Sequence, residues 1–198
     1  RDRRGLMLSV VTFKWHTPGY RATFTTEHVN TLQRMVARHY PHPHRIVCVT
    51  DDTAGLHPGI EAVPLWHDHA DVPNPTGGGR PACYRRLKLF SRDIGALLGP
   101  RFVMIDLDVI ITGDLSPLWN RPEDAVFWRS PSGEWPYNGA MFLLDAGARP
   151  QVWDHFDPVV SPRATDHAGY RGSDQAWISH KLGWTEPVWT EADGVHYY

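Results

Sequence analysis

Cysteine is scarce in this chain. Only Cys48 and Cys83 occur, far apart. That excludes a disulfide scaffold and offers no zinc-ligand spacing, so free thiols are the favoured reading. No excess of one charge is present either. Lys and Arg total 20 against 22 Asp and Glu, a net charge of −2. This balance gives no electrostatic reason to expect a nucleic-acid partner. No window approaches 18 uninterrupted apolar residues, so no membrane-spanning helix is expected. The start, Arg1-Asp2-Arg3-Arg4-Gly5, leads into only a short apolar run and does not read as a signal peptide. The expected location is therefore cytoplasmic, with peripheral attachment to a membrane left open. Internal repeats, low-complexity tracts and interdomain linkers are lacking too. What is there is ordinary for a globular domain: 198 residues, 41% hydrophobic and 21% charged. A single domain of this size buries roughly 70% of its unfolded surface. The one oddity is 9 Trp, most of them after residue 115.

Strand and helix patterns alternate. Leu6–Phe13 reads as a buried strand, followed by a turn-rich loop over 14–25. From Thr26, Val29, Leu32, Met35 and Val36 recur at helical spacing, and Tyr40 before Pro41 marks a stop. Arg45–Thr50 and Ile60–Leu65 follow as strands. His67–Pro81 is an irregular loop with three consecutive glycines. A helix is expected over Ala82–Leu98, then a strand over Arg101–Ile105. Later strands fall near Ala125–Trp128 and Ala140–Leu144, and helices near Gln151–Phe156 and Ser173–Leu182. The pattern predicts an α/β fold with helices covering both faces of a sheet.

The strongest local signal is FVMIDLDVI, residues 102–110. A run of apolar residues delivers Asp106 and Asp108 to the end of a strand. Residues two apart in extended chain share a face, so both carboxylates point one way and Leu107 turns into packing. Carboxylates this close stay ionised together only beside a compensating cation, and oxygen ligands suit Mg²⁺ or Mn²⁺. Two solvated aspartates in a turn would be the plain alternative. Two enzyme classes use this signature. Haloacid-dehalogenase-like phosphatases use the first Asp as a nucleophile, here Asp106. GT-A glycosyltransferases use the pair to hold the metal of a nucleotide-sugar diphosphate. The motif lies past the midpoint, after an α/β half, which favours the second class.

The blocks around it resemble glycosyltransferase family 8. They are Tyr84-Arg85-Arg86-Leu87-Lys88-Leu89, Phe102–Trp119, Tyr137–Asp145 and Gly172–Ile178, and they stand in family order. Gly139-Ala140 inverts the family's usual Ala-Gly. The resemblance implies a GT-A-type fold, with a mixed, mostly parallel sheet flanked by helices. It implies one catalytic domain over 1–198, with a nucleotide-binding half over about 1–110 and an acceptor half over about 111–198. It also suggests a minimal or C-terminally truncated enzyme. The implied reaction is transfer of a sugar, with retention, from a UDP-linked donor to an unknown acceptor. On the donor side it places Val11, Thr12, Phe13 and Lys14 at the base and ribose. Arg86 falls at the donor sugar and phosphates, Lys88 serves the donor, Asp106 and Leu107 bind it at the aspartate motif, and Asn138 meets the sugar hydroxyls. The metal would be Mn²⁺ or Mg²⁺ on Asp106, Asp108 and His196. Asp174 and Gln175 would stand at the reacting face, though Ser173-Asp174 could simply cap a helix. Asp51 and Asp52 touch the nucleoside or shape a turn. Among the tryptophans, Trp135 is the candidate for a sugar pocket, and Trp119, Trp153 and Trp177 are expected in the core. A non-catalytic nucleotide-sugar-binding module is the further alternative.

Overall fold

The first strand, β1 (Leu8–Lys14), is buried along its whole length because it lies mid-sheet with both faces covered. Alternate residues feed different cores. Val11 and Phe13 enter one apolar cluster, and Leu8 and Val10 enter the other. This arrangement comes from a computed structural model, which describes residues 7–16, 18, 23–75 and 82–197. Leu6 and residues 76–81 of the expected glycine-rich loop lie outside the described residues.

The other strands are β2 (His44–Thr50), β3 (Ile60–Pro64), β4 (Arg101–Ile105), β5 (Ala125–Arg129), β6 (Tyr137–Asp145) and β7 (Val188–Trp189). They form one seven-stranded sheet in the order β3-β2-β1-β4-β6-β5-β7. β3, β2, β1 and β4 run parallel. β6 runs against both β4 and β5, and β7 is parallel to β5. The result is a mixed, mostly parallel sheet in an α/β domain. Helix α1 (Thr26–His39) buries Val29, Leu32 and Val36 as its apolar stripe predicts. On the other face lie α4 (Gln151–Asp154) and α6 (Asp174–Leu182), whose Trp177 and Ile178 enter the first core cluster. The remaining helices are the short α2 (Gly95–Leu98) and α3 (Ser116–Trp119), and α5 (Val160–His167). No helix among the described residues is long and apolar enough to cross a membrane.

One expected element differs. The single helix over Ala82–Leu98 is instead a 3-10 segment over Tyr84–Phe90, a turn, and α2. Ser91 is extended (φ −67°, ψ 150°) and breaks the run. The three-residue repeat stacks Tyr84, Leu87 and Phe90, all buried, and leaves Arg86 on another face. Packing has overridden helix propensity here.

Candidate active site

The parallel strands β1, β2 and β4 end on one edge of the sheet, and a cavity of about 320 Å³ opens there. Ligands of open α/β sheets bind outside the carboxyl ends of the strands. One end of the cavity is lined by Phe13–His16, at and just past the end of β1, and by Asp51 and Asp52 after β2. The other end is lined by Ala82, Cys83 and Arg86, and by Asp106, Leu107 and Asp108 after β4. The entry to α1, residues 23–26, forms a wall. Leu107 also packs into the second core cluster, while both neighbouring carboxylates line the cavity.

Arg86 sits at the centre of the charge network. Its guanidinium pairs with Asp106 on one side and with Asp174 on the other, Nε donating to Asp174 Oδ2 at 2.7 Å. Burial works against the Arg86 charge, but Asp106 and Asp174 together hold its pKa well above the ordinary value. Asp106 is pushed up to about 6. Burial is the main cause, Arg86 pulls the other way, and Asp108 and Asp174 add repulsion. Asp174 is almost fully buried at the first turn of α6 and also accepts from Ser173 Oγ at 3.2 Å. Its place beside Arg86 is therefore more than a helix cap.

β6 brings a fourth strand to this site through an irregularity. Its pairing with β5 jumps from Phe127↔Phe142 to Trp128↔Asn138, so 139–141 bulge. Bulges of this kind re-aim side chains beside functional sites. The bulge is tied to β4 by Asp106 N–H donating to Ala140 O at 2.9 Å. Asn138 Oδ1 accepts from Ala140 N–H at 2.8 Å, which braces the bulge internally. Gly139 explains the inverted Gly-Ala. A Cβ there would lie 3.1 Å from Arg86 Nη2 and 3.1 Å from Gln175 Cβ. Gln175 Oε1 accepts from Gly139 N–H at 3.3 Å. Gly139, Asp174, Gln175 and Arg86 therefore form one close-packed junction.

Not every expected residue meets here. Val11 and Thr12 are fully buried in the sheet and do not line the cavity, whereas Phe13 and Lys14 do. Lys14 Nζ lies 3.6 Å from Asp52. Asp52 also accepts from Ala54 N–H at 2.9 Å, so it shapes the turn as well as facing the cavity. Lys88 points elsewhere: its Nζ bonds Asp68 at 2.7 Å and lies over the Trp66 ring. Asn138 and Trp135 do not line the cavity. His196 is exposed and is not brought to Asp106 and Asp108. Its segment follows β7, three strands away from β4 in the sheet order. Sequence reasoning missed Trp15, which lines the β1 end of the cavity with the Arg85 guanidinium 5.4 Å from its ring centre. Its position directly after β1 was the available signal.

The charges of the cavity bear on a metal. Four carboxylates (Asp51, Asp52, Asp106 and Asp108) face two cations, Lys14 and Arg86. A diphosphate entering this excess of negative charge needs an added cation. No group of three or more His, Cys, Asp or Glu stands together among the described residues. The residues nevertheless fit Mg²⁺ or Mn²⁺, because such ions are commonly held by one or two carboxylates with substrate phosphates and water completing the shell.

No protein-family profile matches the sequence, and no curated protein sequence matches it. The fold does match solved structures. The glycosyltransferase GlyE of Streptococcus pneumoniae TIGR4 superposes with a TM-score of 0.58 at 14% identity, over 93% of this chain and 46% of GlyE. The galactosyltransferase LgtC, solved with donor and acceptor sugar analogues, gives 0.59 at 14% identity, over 88% of this chain and 70% of LgtC. Mouse xyloside xylosyltransferase 1 gives 0.53 at 13% identity, over 93% and 85%. The fold is thus of the GT-A glycosyltransferase type. This chain spans about half the length of GlyE.

Proposed function

We propose that this chain is a glycosyltransferase domain that takes a sugar from a UDP-linked donor with Mn²⁺ or Mg²⁺ bound, and transfers it with retention. The observation that carries the reading is the layout of the cavity. An aromatic, polar end after β1 and β2 suits a nucleoside, and an end with Arg86, Asp106 and Asp108 suits its phosphates. The solved structures of similar fold are glycosyltransferases, which supports the class.

In this reading Trp15 and Phe13 face the base. Asp106 and Asp108 would hold the divalent cation, which would supply positive charge to offset that developing on a departing diphosphate. Arg86, fixed by Asp174, presents positive charge to the same oxygens without reorganising during the reaction. The donor sugar then lies toward the β6 bulge and the start of α6, next to Asp174 and Gln175. Retention and the UDP preference rest on the family resemblance.

The phosphatase reading places the nucleophilic Asp on a strand that opens its domain. Here the strand before Asp106 follows three parallel strands, β1, β2 and β3. An assay of UDP release from a panel of UDP-sugars with Mn²⁺ tests the proposal. Release with one UDP-sugar, lost when Mn²⁺ is chelated, is expected. A beryllium-fluoride adduct on Asp106 with no UDP release would replace the proposal with the phosphatase.

The aromatic end makes a separate prediction. Trp15→Ala should weaken UDP binding by about tenfold or more, since stacking on a base contributes roughly 1–3 kcal/mol. Titration calorimetry measures this. Unchanged affinity would remove Trp15 from the base site.

A further inference from the structure

Of the cations Arg85, Arg86 and Lys88 in the 3-10 segment, only Arg86 lines the cavity. Arg85 is half-buried and stands outside the cavity wall. It is held to Trp66, just past β3, by two hydrogen bonds that run in opposite directions. Arg85 Nη1 donates to Trp66 O at 3.0 Å, and Trp66 Nε1 donates to Arg85 O at 2.7 Å. The same guanidinium lies over the Trp15 ring, 5.4 Å from its centre. Trp15 lines the cavity and Arg85 does not, so the guanidinium covers a part of the ring turned from the cavity.

Neighbouring rings complete the arrangement. Phe13 stands edge-on to Trp15, with ring centres 5.9 Å apart, and edge-on to Trp66 at 5.4 Å. Trp66 is itself buried, with Lys88 Nζ over its ring at 5.7 Å. The segments that follow β1 and β3 are therefore tied to the 3-10 segment through one arginine.

Trp15 lies just past the end of β1, where strand pairing no longer fixes the chain. A large side chain in such a place loses rotamer freedom when a ligand orders it, and that loss weakens binding. A guanidinium over the ring restricts it beforehand and adds cation–π attraction. Arginine suits this task because its planar fork bonds a carbonyl and stacks on an indole at once.

We propose that Arg85 is a positioning residue for the donor's base. It fixes the Trp15 ring on which the base stacks, and it does not touch the nucleotide itself. That role rests on the UDP-donor reading, and it extends the donor machinery beyond the cavity wall. The adjacent arginines then divide the work. Arg86 serves the phosphate end through Asp106 and Asp174, and Arg85 serves the base end through Trp15.

The test is calorimetric titration of the whole chain with UDP and with pyrophosphate, each with Mn²⁺. Arg85→Met leaves the Trp66 Nε1 bond in place, because that bond uses the main-chain carbonyl of residue 85. It should weaken UDP binding about five- to tenfold and leave pyrophosphate binding within about twofold. Arg85→Lys should recover part of the UDP affinity, since an ammonium also lies well over an indole. In a Trp15→Ala background, Arg85→Met should cost less than about twofold more, because a residue that acts through another is not additive with it. Thermal unfolding and the retained pyrophosphate binding show that the variants are folded. Unchanged UDP binding in Arg85→Met, an equal loss for pyrophosphate, or a full additive loss in the Trp15→Ala background overturns the role of Arg85 while UDP binding by the unaltered chain stands. Absence of UDP binding by the unaltered chain removes the donor reading itself, and the role of Arg85 with it.

Discussion

Arg86→Ala should lower the midpoint of thermal unfolding by roughly 10 °C and abolish UDP release. The Arg86 side chain is 9% exposed and faces the 4% exposed side chain of Asp174 on one side and Asp106 on the other. Removing one partner of a buried ion pair costs about 3–5 kcal/mol, because the other charge stays behind uncompensated. For a chain of this length each kcal/mol moves the midpoint by about 2–4 °C. Most of the loss comes from Asp174, since Asp106 is partly open to the cavity. Arg86→Lys should recover part of the stability through its charge. It should recover little turnover, because one ammonium cannot hold both carboxylates in the geometry of a fork. A shift below about 2 °C would mean the pair is not the anchor of this site.

Gly139→Val is the second large effect, and it falls on turnover more than on stability. Even a Cβ at this position meets Arg86 Nη2 and Gln175 Cβ at 3.1 Å, so the branched side chain must push one of them aside. Displacing a positioned group by about 1 Å can cost a hundredfold in rate. UDP release should fall by about that factor while Gly139→Ala shows a smaller loss in the same direction. Steady-state kinetics on both variants checks the order. Equal rates in all three proteins would show that the junction is looser than its contacts imply.

Much of the fold was legible because its elements obey simple periods. β1, β2 and β4 are apolar runs of the length a buried parallel strand needs, and α1 carries a clean apolar stripe. The Tyr84–Phe90 segment was read as α-helix because Leu87, Phe90 and Ile94 fit that spacing as well as they fit a 3-10 turn. Only packing against the sheet and α4 separates the two. α5 escaped notice because Pro162 and polar residues obscure its pattern. In the site, Asp106, Asp108, Arg86, Asp174 and Gln175 were legible from local motifs. Their joining through Arg86 was not, since 88 residues separate Arg86 from Asp174. Lys88 and His196 show the limit of motif spacing. The 3-10 geometry turns Lys88 toward Asp68, and the place of β7 at the sheet edge carries His196 away from β4. Trp15 was not legible because it sits just past β1 in a turn-rich stretch with no periodic pattern to mark it.

The central claim is that Asp106 and Asp108 make a nucleotide diphosphate site that works only with a divalent cation. Calorimetric titration of UDP with and without Mn²⁺, on the unaltered chain and on Asp108→Ala, tests it most directly. Mn²⁺ should tighten UDP binding at least about tenfold in the unaltered chain, and Asp108→Ala should remove this tightening. UDP affinity that is the same with and without Mn²⁺, or tightening that survives in Asp108→Ala, would contradict it.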